Sequence, residues 1–105
     1  MALETRRSFN VVFSKKGGMK FISHLDLVRL FQRAARRAQI SLVISQGFSP
    51  RPKISFKRAL KLGVESEAEE ATFHTKGFIS KEDFGKRLQA QLPEGITIRK
   101  IGETI

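Results

Sequence analysis

Two kinds of chemistry are written into the stretch SHLDLVRLFQRAARRAQ, which runs from Ser23 to Gln39. Arg29, Arg33, Arg36 and Arg37 recur at i, i+4, i+7 and i+8. At 3.6 residues per turn they share an arc of roughly 100° on one side of a helix. Guanidinium groups aligned this way suit phosphates, which each can grip with two donors. Like charges four residues apart cost a helix about 0.2–0.5 kcal/mol per pair, and only Asp26, near Arg29, offsets them. A phosphate-facing stripe explains the pattern better than a solvated one, although Arg36 and Arg37 also suit the dipole at the helix C-terminus with no partner at all. His24 is the candidate general acid or base, because imidazole titrates near neutrality. It falls on the apolar side of the helical wheel, beside Val28 and Phe31, where packing or capping is the commoner role. No second histidine, serine or lysine stands at a spacing that would complete a triad or a metal site with it, so no further catalytic residue and no metal ligand is assigned.

A second basic element follows in QGFSPRPKISFKR. Arg51 is held between Pro50 and Pro52, whose rings fix φ. Lys53, Lys57 and Arg58 come next. A stiff loop with these bases and Phe48 suits backbone phosphates and base stacking; equally, Phe48 could plug the core. Upstream, KKGGMK places Gly17 and Gly18 in a turn before the helix, where free N–H groups can cradle a phosphate. No nucleotide-binding glycine pattern is present, and an ordinary turn accounts for it more simply.

The elements that must position these groups follow from periodicity. Phe9, Val11 and Phe13 alternate as a half-buried first strand after a loose end at 1–7. Ser23 with Asp26 makes a capping-box pattern for the first helix, and Leu27, Phe31, Ala34 and Ala38 form its core stripe. The β-branched run ISLVIS, 40–45, reads as a buried second strand. A long connection, 46–69, passes from basic to acidic, with extended pieces and an acidic turn at Glu65–Glu70. Ala71 and Phe73 belong to another strand. Ser80 opens a second helix carrying Phe84, Leu88 and Leu92, which Pro93-Glu94-Gly95 stops. Ile96, Ile98, Lys100 and Ile101 read as a last strand. The order is that of a ferredoxin-like α+β fold: a split β-α-β arrangement with an antiparallel sheet and two helices on one face. The whole of 1–105 is one domain.

Composition narrows the partners. Net charge is +10 over 105 residues. Residues 1–61 carry 14 Lys and Arg against Glu4 and Asp26, whereas residues 62–105 carry six bases and eight acids. Such asymmetry points to a polyanion, most often nucleic acid. With no cysteine there is no disulfide framework, thiolate metal site or iron–sulfur cluster. No apolar run has the length of a membrane span and the first residues lack a secretory core, so a soluble cytoplasmic protein with no cofactor is expected.

At FISHLDLVRLFQRAARRAQI, SQGFSPRPKISF and LGVESEAEE the chain resembles a bacterial domain family of unknown function linked to radical SAM proteins. The resemblance spans nearly all of residues 8–102. Members occur fused to radical SAM proteins or encoded beside them, and often near ribonuclease and ribosomal-protein genes. The resemblance implies no assigned activity. It implies a radical SAM protein as a partner, and any cluster chemistry would belong to that partner, since this chain has no cysteine to bind one.

Three readings follow. The first is a module that binds RNA, such as tRNA or rRNA, through Arg29, Arg33, Arg36, Arg37, Arg51, Lys53, Lys57 and Arg58. The second is a docking domain that presents substrate to a radical SAM enzyme. The third is a metal-independent endoribonuclease using His24. The first also expects the arginine stripe and the PRPK loop to form one continuous positive surface.

Overall fold

The computed structural model describes residues 5–104, with the side chain of residue 104 left aside. In chain order it contains β1 (Arg6–Lys15), a 3-10 turn (Gly17–Phe21), α1 (His24–Arg37), β2 (Ile54–Phe56), β3 (Ser66–Lys76), α2 (Lys81–Gln89) and β4 (Ile96–Thr104). The strands form one antiparallel sheet in the order β2-β3-β1-β4. The fold is therefore α+β, with two helices and a four-stranded antiparallel sheet. Each helix connects two strands that have a third strand between them.

Alternation along the central strands decides which face is buried. Phe9, Val11 and Phe13 of β1 and Ala71, Phe73 and Thr75 of β3 all turn inward. Both helices lie on that face. Phe31 of α1 meets Phe13 and Phe73 at centroid distances of 5.0 and 5.5 Å, and Phe84 of α2 meets Phe9 and Phe73 at 4.5 and 5.5 Å. Each ring pair contributes about 0.5–1.5 kcal/mol beyond area burial. Leu27, Ala34, Ala35 and Leu88 fill the remaining space.

The helix starts are as the sequence dictates. Ser23 Oγ accepts from Asp26 N–H and Ser80 Oγ accepts from Asp83 N–H, both at 3.1 Å, satisfying donors that have no intrahelical partner. The α1 C-terminus is closed from outside the helix. Arg87 of α2 donates to Ala38 C=O at 3.0 and 2.7 Å and to Gln39 C=O at 2.7 Å, so this arginine pins one helix to the other. At the sheet margin, Gln89 behaves like a strand neighbour of β4: its Oε1 accepts from Ile98 N–H at 2.7 Å and its Nε2 donates to Ile96 C=O at 3.2 Å. Gly95 permits the turn before β4. Its φ is +100°, and a Cβ there would lie 2.6 Å from the Lys16 carbonyl oxygen.

Four boundaries differ from expectation. Residues 6 and 7 belong to β1, while residues 1–4 of the expected loose end lie outside the described residues. The second strand is Ile54–Phe56, inside the expected connection, not residues 40–45. Residues 40–45 are extended but form only isolated bridges, Leu42 to Thr75 and Ile44 to Pro52; Ile40 and Leu42 are buried without belonging to a ladder. β3 begins at Ser66, so the acidic run is mostly strand and not turn. α2 ends at Gln89, and Leu92 packs against the core from beyond it.

Candidate nucleic-acid interface

The arginine stripe forms as its spacing requires. Leu27, Phe31, Ala34 and Ala35 are buried against the sheet, which turns Arg29, Arg33, Arg36 and Arg37 outward, and all four are exposed. Arg29 makes a loose pair with Asp26 at 3.7 Å. Arg33, Arg36 and Arg37 have no acidic partner among the described residues. Arg33 and Arg37 line a shallow cleft against Ala90–Pro93, and Arg36 lies beside Gln32, Ile44 and Pro52.

The proline loop docks onto the flank of this helix. Ser45 N–H donates to Arg51 C=O at 2.8 Å, and Arg51 N–H donates back to Ser45 Oγ at 3.1 Å. Gln32 Nε2 of α1 donates to Pro52 C=O at 3.3 Å. The loop tip between these bonds carries Phe48 wholly exposed, so Phe48 does not plug the core. Arg51 is exposed with no acidic partner among the described residues, and its neighbour Pro52 is bonded to Gln32 of α1.

Beyond Pro52 the basic residues leave that side. Ile54 and Phe56 pack toward the core, while Ser55 Oγ reaches His74 on the opposite face of the sheet. Strand alternation puts Lys53 and Lys57 on Ser55's face, away from the helices. The expected single surface is thus divided. Arg29, Arg33, Arg36 and Arg37 face outward from the helix layer, Arg51 sits at the edge beside them, and Lys53 and Lys57 belong to the far side of the sheet.

Lys57 and Arg58 are also neutralised. Lys57 Nζ lies 3.0 Å from Glu70 Oε2. Arg58 grips Glu69 with two donors, Nε at 3.1 Å and Nη2 at 2.8 Å, and Ser66 Oγ donates to the same carboxylate. The Arg58 hydrogen bonds, supported by Ser66, hold the buried Glu69 below the usual carboxylate range against the opposing effect of burial. Lys16 does the same for Glu67 from 2.7 Å. Glu65 accepts from Gly17 N–H at 2.7 Å, so the glycine turn does cradle an anion, but one supplied by the chain itself.

His24 has a structural post. Its Nδ1 accepts from Leu60 N–H at 3.3 Å, and its ring stands edge-on to Phe56 with centroids 5.1 Å apart. An accepting Nδ1 places the proton on Nε2. His74, an unremarkable strand residue in the sequence, is better connected. Its Nδ1 lies 3.0 Å from Ser8 Oγ and its Nε2 3.2 Å from Ser55 Oγ, linking three strands. Burial, followed by the charge of Lys53, pushes this imidazole below its ordinary value. Only the register of Ser8 opposite His74 brings the row together, and no spacing in the sequence announces it.

Among the described residues no group of His, Cys, Asp or Glu is arranged to hold a metal ion, and no helix is long and apolar enough to cross a membrane. The chain belongs to a bacterial family described as "Uncharacterized protein conserved in bacteria (DUF2344)", whose match covers residues 8–104. No curated protein and no solved structure matches it.

Proposed function

Proceeding from membership of that family, we propose that the protein is an RNA-binding module, with tRNA or rRNA as the natural class of partner, and that the helix side of the domain makes the contact. The observation that carries this reading is the exposure of Arg33, Arg36, Arg37 and Arg51 with no acidic partner among the described residues, in a chain of net charge +10. The chain's glutamates neutralise Lys16, Lys57 and Arg58 and leave this group alone. Exposed Phe48, at the tip of the loop that holds Arg51, offers a face for an unpaired base. Lys53 lies on the other side of the sheet and does not contribute to the same contact.

The test is a titration against single-stranded and structured RNA across a salt series. Four arginine–phosphate contacts give a slope of log affinity against log salt of roughly −3 for single strands. No binding at about 50 mM salt, or binding indifferent to salt, would overturn the reading.

A second reading has its own observation. Gly63 N–H donates to Lys20 C=O at 2.6 Å, which brings the loop bearing exposed Leu62 and Val64 beside exposed Phe21. This apolar group suits a protein partner, and a radical SAM enzyme is the one the sequence resemblance implies. The two readings use different surfaces and are compatible. A pull-down from the native cell that recovers no such enzyme counts against the second.

A further inference from the structure

Lys15 is 1% exposed at the end of β1. Alternation fails there: Phe13, Ser14 and Lys15 are all buried, Phe13 against Phe31 and Phe56 and Lys15 beneath the loop from Arg58 to Glu65. A register shift between Phe13 and Lys15 sets Lys15 opposite Ser66, and bulges of this kind re-aim side chains.

The ammonium has three donors and, among the described residues, makes one hydrogen bond, from Nζ to Lys61 C=O at 2.7 Å. No carboxylate among the described residues lies within ion-pairing distance of it. It lines a cavity of about 210 Å³ together with Arg58, Lys61, Glu65, Ser66 and Glu69. Both carboxylates in this wall accept their hydrogen bonds elsewhere, Glu69 from Arg58 and Ser66 and Glu65 from Gly17 N–H, and the Lys15 charge reaches Glu69 only through space, where it adds to the Arg58 hydrogen bonds in lowering that carboxyl's pKa. Three cations against two carboxylates leave one positive charge over, and the buried, under-bonded member of the set is Lys15. A charge in that position needs a partner.

We propose that this cavity is a binding site for a small singly charged oxyanion, a carboxylate, received by the two remaining N–H groups of Lys15 with Arg58 and Lys61 at the rim. Charge selects the class: one surplus positive charge matches a monoanion, and the two wall carboxylates repel a phosphate dianion. Volume limits the size, since the cavity equals about seven waters of liquid volume. The site owes nothing to the arginine face, so it stands or falls independently of RNA binding.

The test is a titration of uniformly ¹⁵N-labelled, full-length protein with sodium acetate at constant ionic strength, read by NMR at the Lys15 ammonium and at the Lys61 and Ser66 amides. A saturable shift at these groups is expected, with inorganic phosphate at pH 8 binding about tenfold more weakly because of the wall carboxylates. Lys15→Met, which fills the same space without charge, abolishes the amide shifts and leaves the salt dependence of RNA binding unchanged. If that variant fails to fold, the wild-type titration still decides. No saturable shift with acetate, or an equal one with chloride, overturns the site; phosphate binding as tightly as acetate overturns the assignment of the ligand.

Discussion

The outer face of α1 and the segment Lys57–Glu70 are both rich in charge, yet the chain treats them in opposite ways. On α1 three exposed arginines have no acidic partner among the described residues, and Arg51 joins them from the neighbouring loop. Along the second segment Lys57 meets Glu70 and Arg58 meets Glu69, while Glu67 reaches back to Lys16. Sequence charge counts cannot separate the two cases. The difference teaches that a base with a glutamate across the strand holds the fold, whereas a base left facing water is available to a ligand.

The contrast breaks most readily at the helix. Replacing Arg33, Arg36 and Arg37 together by alanine is expected to weaken RNA binding about 100-fold near physiological salt and to reduce the salt slope by about 2. Thermal unfolding should shift little, since no buried group is disturbed. An unchanged slope would show that the helix face is not the contact.

Glu69→Ala should give the opposite result. It removes a buried carboxylate that three donors share, and a loss of about 1–3 kcal/mol is expected in urea unfolding, with the RNA salt slope intact. If the slope falls as well, the two regions are not separate.

Acid supplies a graded version of the same experiment. Glu67 and Glu69 have folded pKa values below their ordinary one. The stability they contribute is complete above the unfolded value of about 4.3 and is lost as pH falls from there through the lower folded values. His74, also depressed, adds a term present above about pH 6.5 and lost as pH falls through its own folded value. Stability should therefore decline in two stages on acidification, and His74→Gln should remove the upper one.

The smallest effect belongs to Lys57→Ala. Its pair with Glu70 is exposed on the lysine side, and such pairs contribute about 0–1 kcal/mol. Neither stability nor RNA affinity should move by more than that, although Lys57 looks as basic in sequence as Arg36.

Much of the scaffold was legible because it rests on local rules. Phe9, Val11 and Phe13 declared their strand by alternation, Ser23 and Ser80 declared their helices by capping, and the α1 wheel placed all four arginines outside. What escaped reading depends on contacts between distant segments. ISLVIS looked like a strand because it is apolar and β-branched, but Ile40 and Leu42 are buried without a continuous ladder, and the short ISF at 54–56 takes the place beside β3. The acidic run looked like a turn because glutamate is poor in strands; Arg58, Lys57 and Lys16 compensate it from neighbouring segments. Lys57 and Arg58 entered the candidate surface on charge alone, and their partners lie 13 and 11 residues away. Lys15 looked like a turn base, and only the folded-over loop buries it.

Gln89 carries a consequence for how these molecules behave at high concentration. β4 is a border strand, and a border strand's free backbone groups are a template for the same strand of another copy. By holding the N–H of Ile98 and the C=O of Ile96, one amide side chain fills two of the slots that such a neighbour would use, at the start of the strand. A single residue of α2 thus closes the start of this border strand to pairing with another copy.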